Sequence, residues 1–236
     1  MAADLLARLA AEPRLAAIML DVDGTLAPIV GQPDAARVPE ETRHELARLV
    51  SRYALVACVS GRTGTEVERL VGVPGVAIVG EHGLQLAPEA RRWGERIADF
   101  ATGIDWPAER KPLSVSFHFR RADDEAAARA YLTRVEAAAR EQGFVPRWGR
   151  MVLEVRPPVE ADKGTAVAAL LGRAGVERAL YAGDDTTDVD AFAALDGLDL
   201  GMKIAVGSAE APPALLAAAD LVVAGPDGLL AVLRTL

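Results

Sequence analysis

Six short aliphatic runs punctuate this chain: LAAIML (15–20), ALVACVS (54–60), VAIVG (76–80), RALYAG (178–183), KIAVG (203–207) and ADLVVAG (219–225). Runs that are apolar on both faces suit strands covered on both sides, and such strands belong to parallel sheets flanked by helices. Segments of helical period follow most of them. PEETRHELARLVSRY (39–53) opens on Pro39 and acids and sets Leu46, Leu49 and Val50 on one face; TGTEVERLVG (63–72) has Thr63 as a cap and Gly72 as a stop. DKGTAVAALLGRAG (162–175), TTDVDAFAAL (186–195), APPALLAAA (211–219) and DGLLAVLRTL (227–236) read as further helices. The pattern predicts an α/β class protein: a parallel sheet with helices on both faces.

The middle of the chain breaks this rhythm. In KPLSVSFHFR (111–120), Val115, Phe117 and Phe119 alternate with Ser and His, as in a strand with one face in water. An Ala-rich helix follows over 122–143, then FVPRWG and RMVLEVRP with Gly149 as the turn between them. This predicts a small α+β insertion over 105–160, with residues 1–104 and 161–236 forming the parallel core.

Composition narrows the partners. At 236 residues, 51% hydrophobic and 25% charged, the chain can fill a core plus a smaller inserted one. A net charge of -8 argues against nucleic acid and against an anionic membrane surface, and no segment is long and apolar enough to span a bilayer. Asp4, Arg8 and Glu12 interrupt any signal-peptide core, and the single Cys58, inside an apolar run, permits no internal disulfide. The expectation is a cytoplasmic protein; no heptad or open apolar face sets an oligomeric state, and many domains of this size are monomers.

In open parallel sheets, ligands bind beyond the carboxyl ends of the strands. Those ends here read DVDGT (21–25), SGR (60–62), GEHG (80–83) and GDDTTD (183–188). Each has an ordinary reading alone: an acidic turn, a helix cap with a solvated Arg, a loop, an N-capped helix. Together they would crowd Asp21, Asp23, Asp184, Asp185 and Asp188 along one edge, where like charges repel unless a cation intervenes. Oxygen ligands of this kind suit Mg²⁺; no His or Cys spacing suggests zinc. An EF-hand is excluded because Gly24 directly follows the second Asp.

With Lys163 in EADKGT, these four motifs resemble those of the haloacid dehalogenase (HAD) superfamily of phosphohydrolases, in order along the chain. The resemblance implies a HAD-like Rossmannoid core with an inserted cap. It makes Asp21 the nucleophile that forms an aspartyl-phosphate, and Asp23 the acid and then base. Thr25 and Ser60 become donors to the phosphoryl oxygens, and Lys163 a further positive charge. Mg²⁺ would be held by Asp21, Asp23 through its carbonyl, and Asp184, with Asp188 in or just behind the coordination sphere.

A narrower resemblance, to the trehalose-6-phosphate phosphatases, covers nearly the whole chain through LDVDGTL, VSGR, GEHG, LSVSFHFR, VLEVRP and GDDTTDVDAF. It implies a sugar phosphate as substrate, with Gly61, Arg62, His82 and Asp185 on the core and His118, Glu154 and Arg156 on the cap as its contacts. Val189 stands where that family usually has Glu. The same catalytic residues would also serve a phosphatase for sucrose, glucosylglycerate or mannosylglycerate phosphate, or a phosphosugar mutase. A non-catalytic sugar-phosphate sensor would be expected to lack Asp21, Asp23 or Asp184, and none is lost.

Overall fold

The structure, a computed structural model, describes residues 2–31, 35–149, 151–209 and 211–236. It divides into two units, one of residues 1–83 with 161–236, the other Leu84–Glu160. In chain order the first unit opens with α1 (Ala2–Ala11), β1 (Ala16–Leu20), α2 (Glu40–Arg52), β2 (Leu55–Val59), α3 (Gly64–Val71) and β3 (Ala77–Val79). The second contains α4 (Gly94–Thr102), β4 (Glu109–Arg110), β5 (Val115–His118), α5 (Glu125–Glu141), β6 (Val145–Gly149) and β7 (Val152–Arg156). The first then resumes with α6 (Lys163–Ala174), β8 (Arg178–Gly183), α7 (Asp188–Ala193), β9 (Leu200–Gly207), α8 (Pro213–Ala218), β10 (Leu221–Ala224) and α9 (Gly225–Leu233).

The sheet of the first unit is parallel, in the order β10-β9-β8-β1-β2-β3. Every residue of central β1 is buried, as its uninterrupted aliphatic composition demands. Register then decides what meets at the carboxyl edge. Leu20 lies opposite both Cys58 of β2 and Ala182 of β8, and Val59 lies opposite Val79 of β3. Asp21, Ser60, Gly80 and Gly183 therefore leave four adjacent strands at nearly one level. Cys58 is an interior residue, and burial pushes its thiol far above the ordinary value.

The second unit is an antiparallel sheet, β4-β5-β7-β6, with α4 and α5. Val115, Phe117, Leu153 and Val155 pack with Ala128, Leu132, Val135 and Ala139 of α5, spaced as one helical face. Three expectations change here. The first boundary lies at 83/84 rather than 104/105, because α4 buries Ile97, Phe100 and Ala101 in this unit's core. The polar side of β5 is not uniformly wet: His118 is exposed, but Ser114 and Ser116 are buried. Gly149 ends β6, paired with Val152, and the reversal falls after it, with Met151 at φ 60°. Among the described residues, no helix is long and apolar enough to cross a membrane.

Candidate active site

Asp21 follows the last residue of β1, its amide donating to the carbonyl of Ala182 at 2.9 Å, and its side chain is buried. Lys163 Nζ reaches it from α6, 2.7 Å from Asp21 Oδ1 and 2.7 Å from Asp188 Oδ1. A lysine at the first turn of a helix opposes the macrodipole, so its place there comes from its partners rather than from helix preference. Asp162 caps that helix through a capping box with Thr165, which fixes where Lys163 starts.

Asp188 is saturated. Its Oδ1 accepts from Lys163 and from the Tyr181 hydroxyl at 2.7 Å; its Oδ2 accepts from the amides of Asp184 and Asp185, each at 3.0 Å. Four donors on one carboxylate make it an organiser of the loop that presents Asp184. Carboxylate oxygens of Asp21, Asp184 and Asp188 come within 4.8 Å of one another. Three carboxylates against one ammonium leave a local excess of two negative charges. Burial raises the Asp21 carboxyl well above its ordinary range against the pull of Lys163, with Asp188 and Asp184 adding to the rise. Asp184, half-buried, is pushed up to about 6 by burial and then by Asp188. Burial favours a neutral Lys163, but the two carboxylates overcome it and hold the ammonium firmly protonated.

Gly24 lets this happen. Its φ is +82°, and a Cβ there would run into the Asp184 carboxylate. Thr25, fully buried, donates from Oγ1 to Asp184 Oδ1 at 3.3 Å. A divalent cation fits this donor set in charge and in ligand chemistry, all hard oxygens.

Asp23 takes a different partner. Arg62 forks onto it, Nε to Oδ2 at 2.6 Å and Nη2 to Oδ1 at 2.7 Å. The turn carrying Arg62 is tightly tied: Ser60 is buried, its carbonyl accepts from the His82 amide at 2.9 Å, and the Arg62 carbonyl accepts from the Glu81 amide at 2.8 Å. Gly61 lies directly under the His82 ring, with no room for a Cβ, and both Glu81 and His82 sit at φ 51°.

Asp21, Asp23, Thr25, Ser60, Gly61, Arg62, His82, Lys163, Asp184, Asp185 and Asp188 thus belong to the first unit. Arg62, expected to face the substrate, has its guanidinium on Asp23, and Asp185 is exposed and accepts from the neighbouring Thr186 amide at 2.7 Å. His118, Glu154 and Arg156 lie in the second unit. His118 bonds Glu109 at 2.7 Å, and that bond, with Lys111, holds the Glu109 carboxyl down at about 2 although burial opposes it. Glu154 is half-buried between Ser116 and Arg147 in the sheet register, and Arg156 is buried. Tyr181 is a site residue that the motifs do not pick out; the available signal is a hydroxyl between the aliphatic Leu180 and Ala182 of a strand read as apolar.

A family model described as trehalose-phosphatase matches residues 19–105 and 107–219. The chain is 34% identical over 203 residues to a trehalose-phosphate phosphatase of Mycobacterium avium, covering 77% of this chain and 51% of that one. It therefore spans about half the length of that curated relative. Among solved structures, the C-terminal domain of the C. albicans trehalose-6-phosphate phosphatase superposes with a TM-score of 0.75 at 24% identity, over 99% of this chain and 96% of that one. A haloacid dehalogenase-like hydrolase from Bacteroides thetaiotaomicron gives 0.62 at 18% identity, over 92% and 98%. These two likenesses are of fold.

Proposed function

The chain belongs to the trehalose-phosphatase family, and on that premise we propose that it hydrolyses trehalose 6-phosphate to trehalose and inorganic phosphate through a phosphorylated Asp21. The observation that carries the proposal is the meeting of Asp21, Lys163 and Asp184 at one sheet edge, with Asp23 two residues from the nucleophile on a separate cation.

Asp21 attacks phosphorus, and the bond from phosphorus to the sugar oxygen breaks. Asp23 supplies the proton that the departing alkoxide needs. Water then attacks the same phosphorus, Asp23 takes its proton, and the bond to Asp21 breaks, releasing phosphate and restoring the carboxylate. Asp21 Oδ1 faces Lys163, and its Oδ2 is the oxygen assigned to attack. Ser60 donates to the phosphoryl oxygens, and Thr25 joins it when its hydroxyl turns from Asp184 toward the substrate. Asp21, Asp184 and the Asp23 carbonyl would hold Mg²⁺, which when bound offsets the excess negative charge and the repulsion between nucleophile and phosphate. Asp188 acts from behind, since its oxygens are taken by four protein donors. His82 on the core and His118, Glu154 and Arg156 on the inserted unit are assigned to the sugar. The single cysteine, buried and unpaired, suits a reducing compartment and supports a cytoplasmic enzyme.

The test is phosphate release from trehalose 6-phosphate with Mg²⁺ and with EDTA, beside the phosphates of sucrose, glucosylglycerate and mannosylglycerate. Strong preference for the trehalose ester, loss in EDTA and loss in Asp21→Asn are expected. Preference for another ester would overturn the substrate, and full activity of Asp21→Asn would overturn the nucleophile.

A further inference from the structure

We propose that Arg62 is a positioning residue: it holds the Asp23 carboxylate in the one orientation from which it exchanges protons with the leaving alkoxide and the attacking water. This rests on the reading of Asp23 as acid and base, and gives Arg62 a task other than gripping the sugar.

A carboxylate at the end of a two-bond side chain, 39% exposed as Asp23 is, is not enclosed tightly enough for packing alone to fix its rotamer. A single hydrogen bond would leave it free to swing. The Arg62 fork binds both oxygens, at 2.6 and 2.7 Å, and two points of attachment set the twist of the group as well as its position. Arg62 is itself only 14% exposed. A clamp is only as firm as its base, and this base is firm on both sides.

On the amino-terminal side, the Arg62 amide donates to Ser60 Oγ at 3.2 Å, and the Ser60 amide donates to the Val79 carbonyl at 3.0 Å. On the carboxyl-terminal side, Thr63 caps α3 in a reciprocal capping box, its amide donating to Glu66 Oε2 at 2.9 Å and its Oγ1 accepting from the Glu66 amide at 3.3 Å. From beneath, the Glu81 and His82 amides hold the Arg62 and Ser60 carbonyls. A Cβ on Gly80 would collide with the backbone of residues 62–64, so the two segments lie at backbone contact. Glu81 and His82 keep left-handed conformations that are uncommon away from glycine, the local cost of presenting two successive amides to one turn. Arg62 thus reaches Asp23, 39 residues away in sequence, from a nearly immobile anchor.

The experiment compares Arg62→Gln, Arg62→Lys, Asp23→Asn and the double variant Asp23→Asn/Arg62→Gln on two esters, with Mg²⁺. One ester is the best sugar phosphate from the assay above. The other is p-nitrophenyl phosphate, whose leaving group needs no proton and whose kcat/KM reports only steps up to transfer onto Asp21. Arg62→Gln is expected to lower kcat on the sugar ester by about 10²-fold, within the range of acid–base assistance, with KM little changed. Its kcat/KM on p-nitrophenyl phosphate should be nearly unaffected. Arg62→Lys should not rescue, because an ammonium cannot fork. The double variant should be no worse than Asp23→Asn. A raised sugar KM with kcat retained, or an additive loss in the double variant, would overturn the proposal and make Arg62 a substrate contact. Equal losses on both esters would overturn it in favour of a phosphoryl contact or a structural role. If Asp23→Asn itself turns over the sugar ester normally, the reading of Asp23 has failed, and the proposal with it. If wild type prefers a different sugar, only the choice of ester changes.

Discussion

Asp21 and Asp23 stand two residues apart, yet different cations neutralise them: Lys163 at 2.7 Å from the first and Arg62 at 2.6 Å from the second. The division suits the roles proposed for them, because a buried nucleophile would need a fixed counter-charge and a proton carrier a fixed direction. Lys163 also binds buried Asp188, so Lys163→Met strips two carboxylates at once. Removing one partner of a buried ion pair costs about 3–5 kcal/mol, and a loss of that size is expected in urea unfolding with EDTA present. A much smaller loss would mean that Asp21 takes up a proton in its place. The raised Asp184 sets a pH dependence. In the metal-free protein its ionised form is disfavoured, a penalty absent below its ordinary 3.8, growing as pH rises and complete above about 6. Mg²⁺ bound as proposed would remove that penalty, so the rise in Tm on adding Mg²⁺ should be largest above pH 6 and shrink as pH falls through it. A Tm rise independent of pH between 5 and 8 would show that Asp184 does not meet the ion.

At the scale of elements, both cations are delivered by helix starts with capping boxes, Thr63–Glu66 for α3 and Asp162–Thr165 for α6. Helix caps of this kind are worth about 1 kcal/mol each, but here each also anchors the residue beside it. Thr63→Ala should therefore lower thermal stability by about that amount and also lower kcat, as the turn carrying Ser60 and Arg62 loosens. Asp124→Ala offers the control. It removes the N-cap of α5 in the other unit, where the Asp124 carboxylate accepts from the Ala127 amide at 2.9 Å, and should cost similar stability without changing the response to Mg²⁺. Equal effects of the two variants on kcat would refute the link between the α3 cap and the site.

Among the described residues, the first unit buries a hydrophobic core against its parallel sheet, and the second unit has its own around the antiparallel sheet with α4 and α5. The chain's three tryptophans, Trp93, Trp106 and Trp148, all belong to the second unit. Tryptophan fluorescence therefore follows that unit alone, whereas far-UV circular dichroism follows both. Mg²⁺ binds residues of the first unit in the proposed site. Adding it during chemical unfolding should move the circular dichroism midpoint and leave the fluorescence midpoint in place, by mass action on the one unit that holds the ion. A common shift of both midpoints would mean that the two cores unfold together.

Most strands and helices, the inserted α+β segment and the polar strand ends were legible in the sequence, because each rests on local chemistry: aliphatic runs, helical spacing, and glycine and aspartate at turns; the two-residue β4 carries no such signal. That Asp21, Ser60 and Asp184 arrive at one edge followed from the rule that parallel strands end on one edge; Lys163, at the start of α6, was joined to them by the family resemblance. Partnership was not legible. That Arg62 takes Asp23, that Tyr181 and two amides saturate Asp188, and that α4 joins the second core depend on strand register and on contacts across tens of residues, and no local pattern encodes them. The sequence by itself determined which side chains arrive at the edge of the sheet. Only the tertiary structure decided which cation each carboxylate receives, because at distances of a few ångströms a difference of one residue in register exchanges one partner for another.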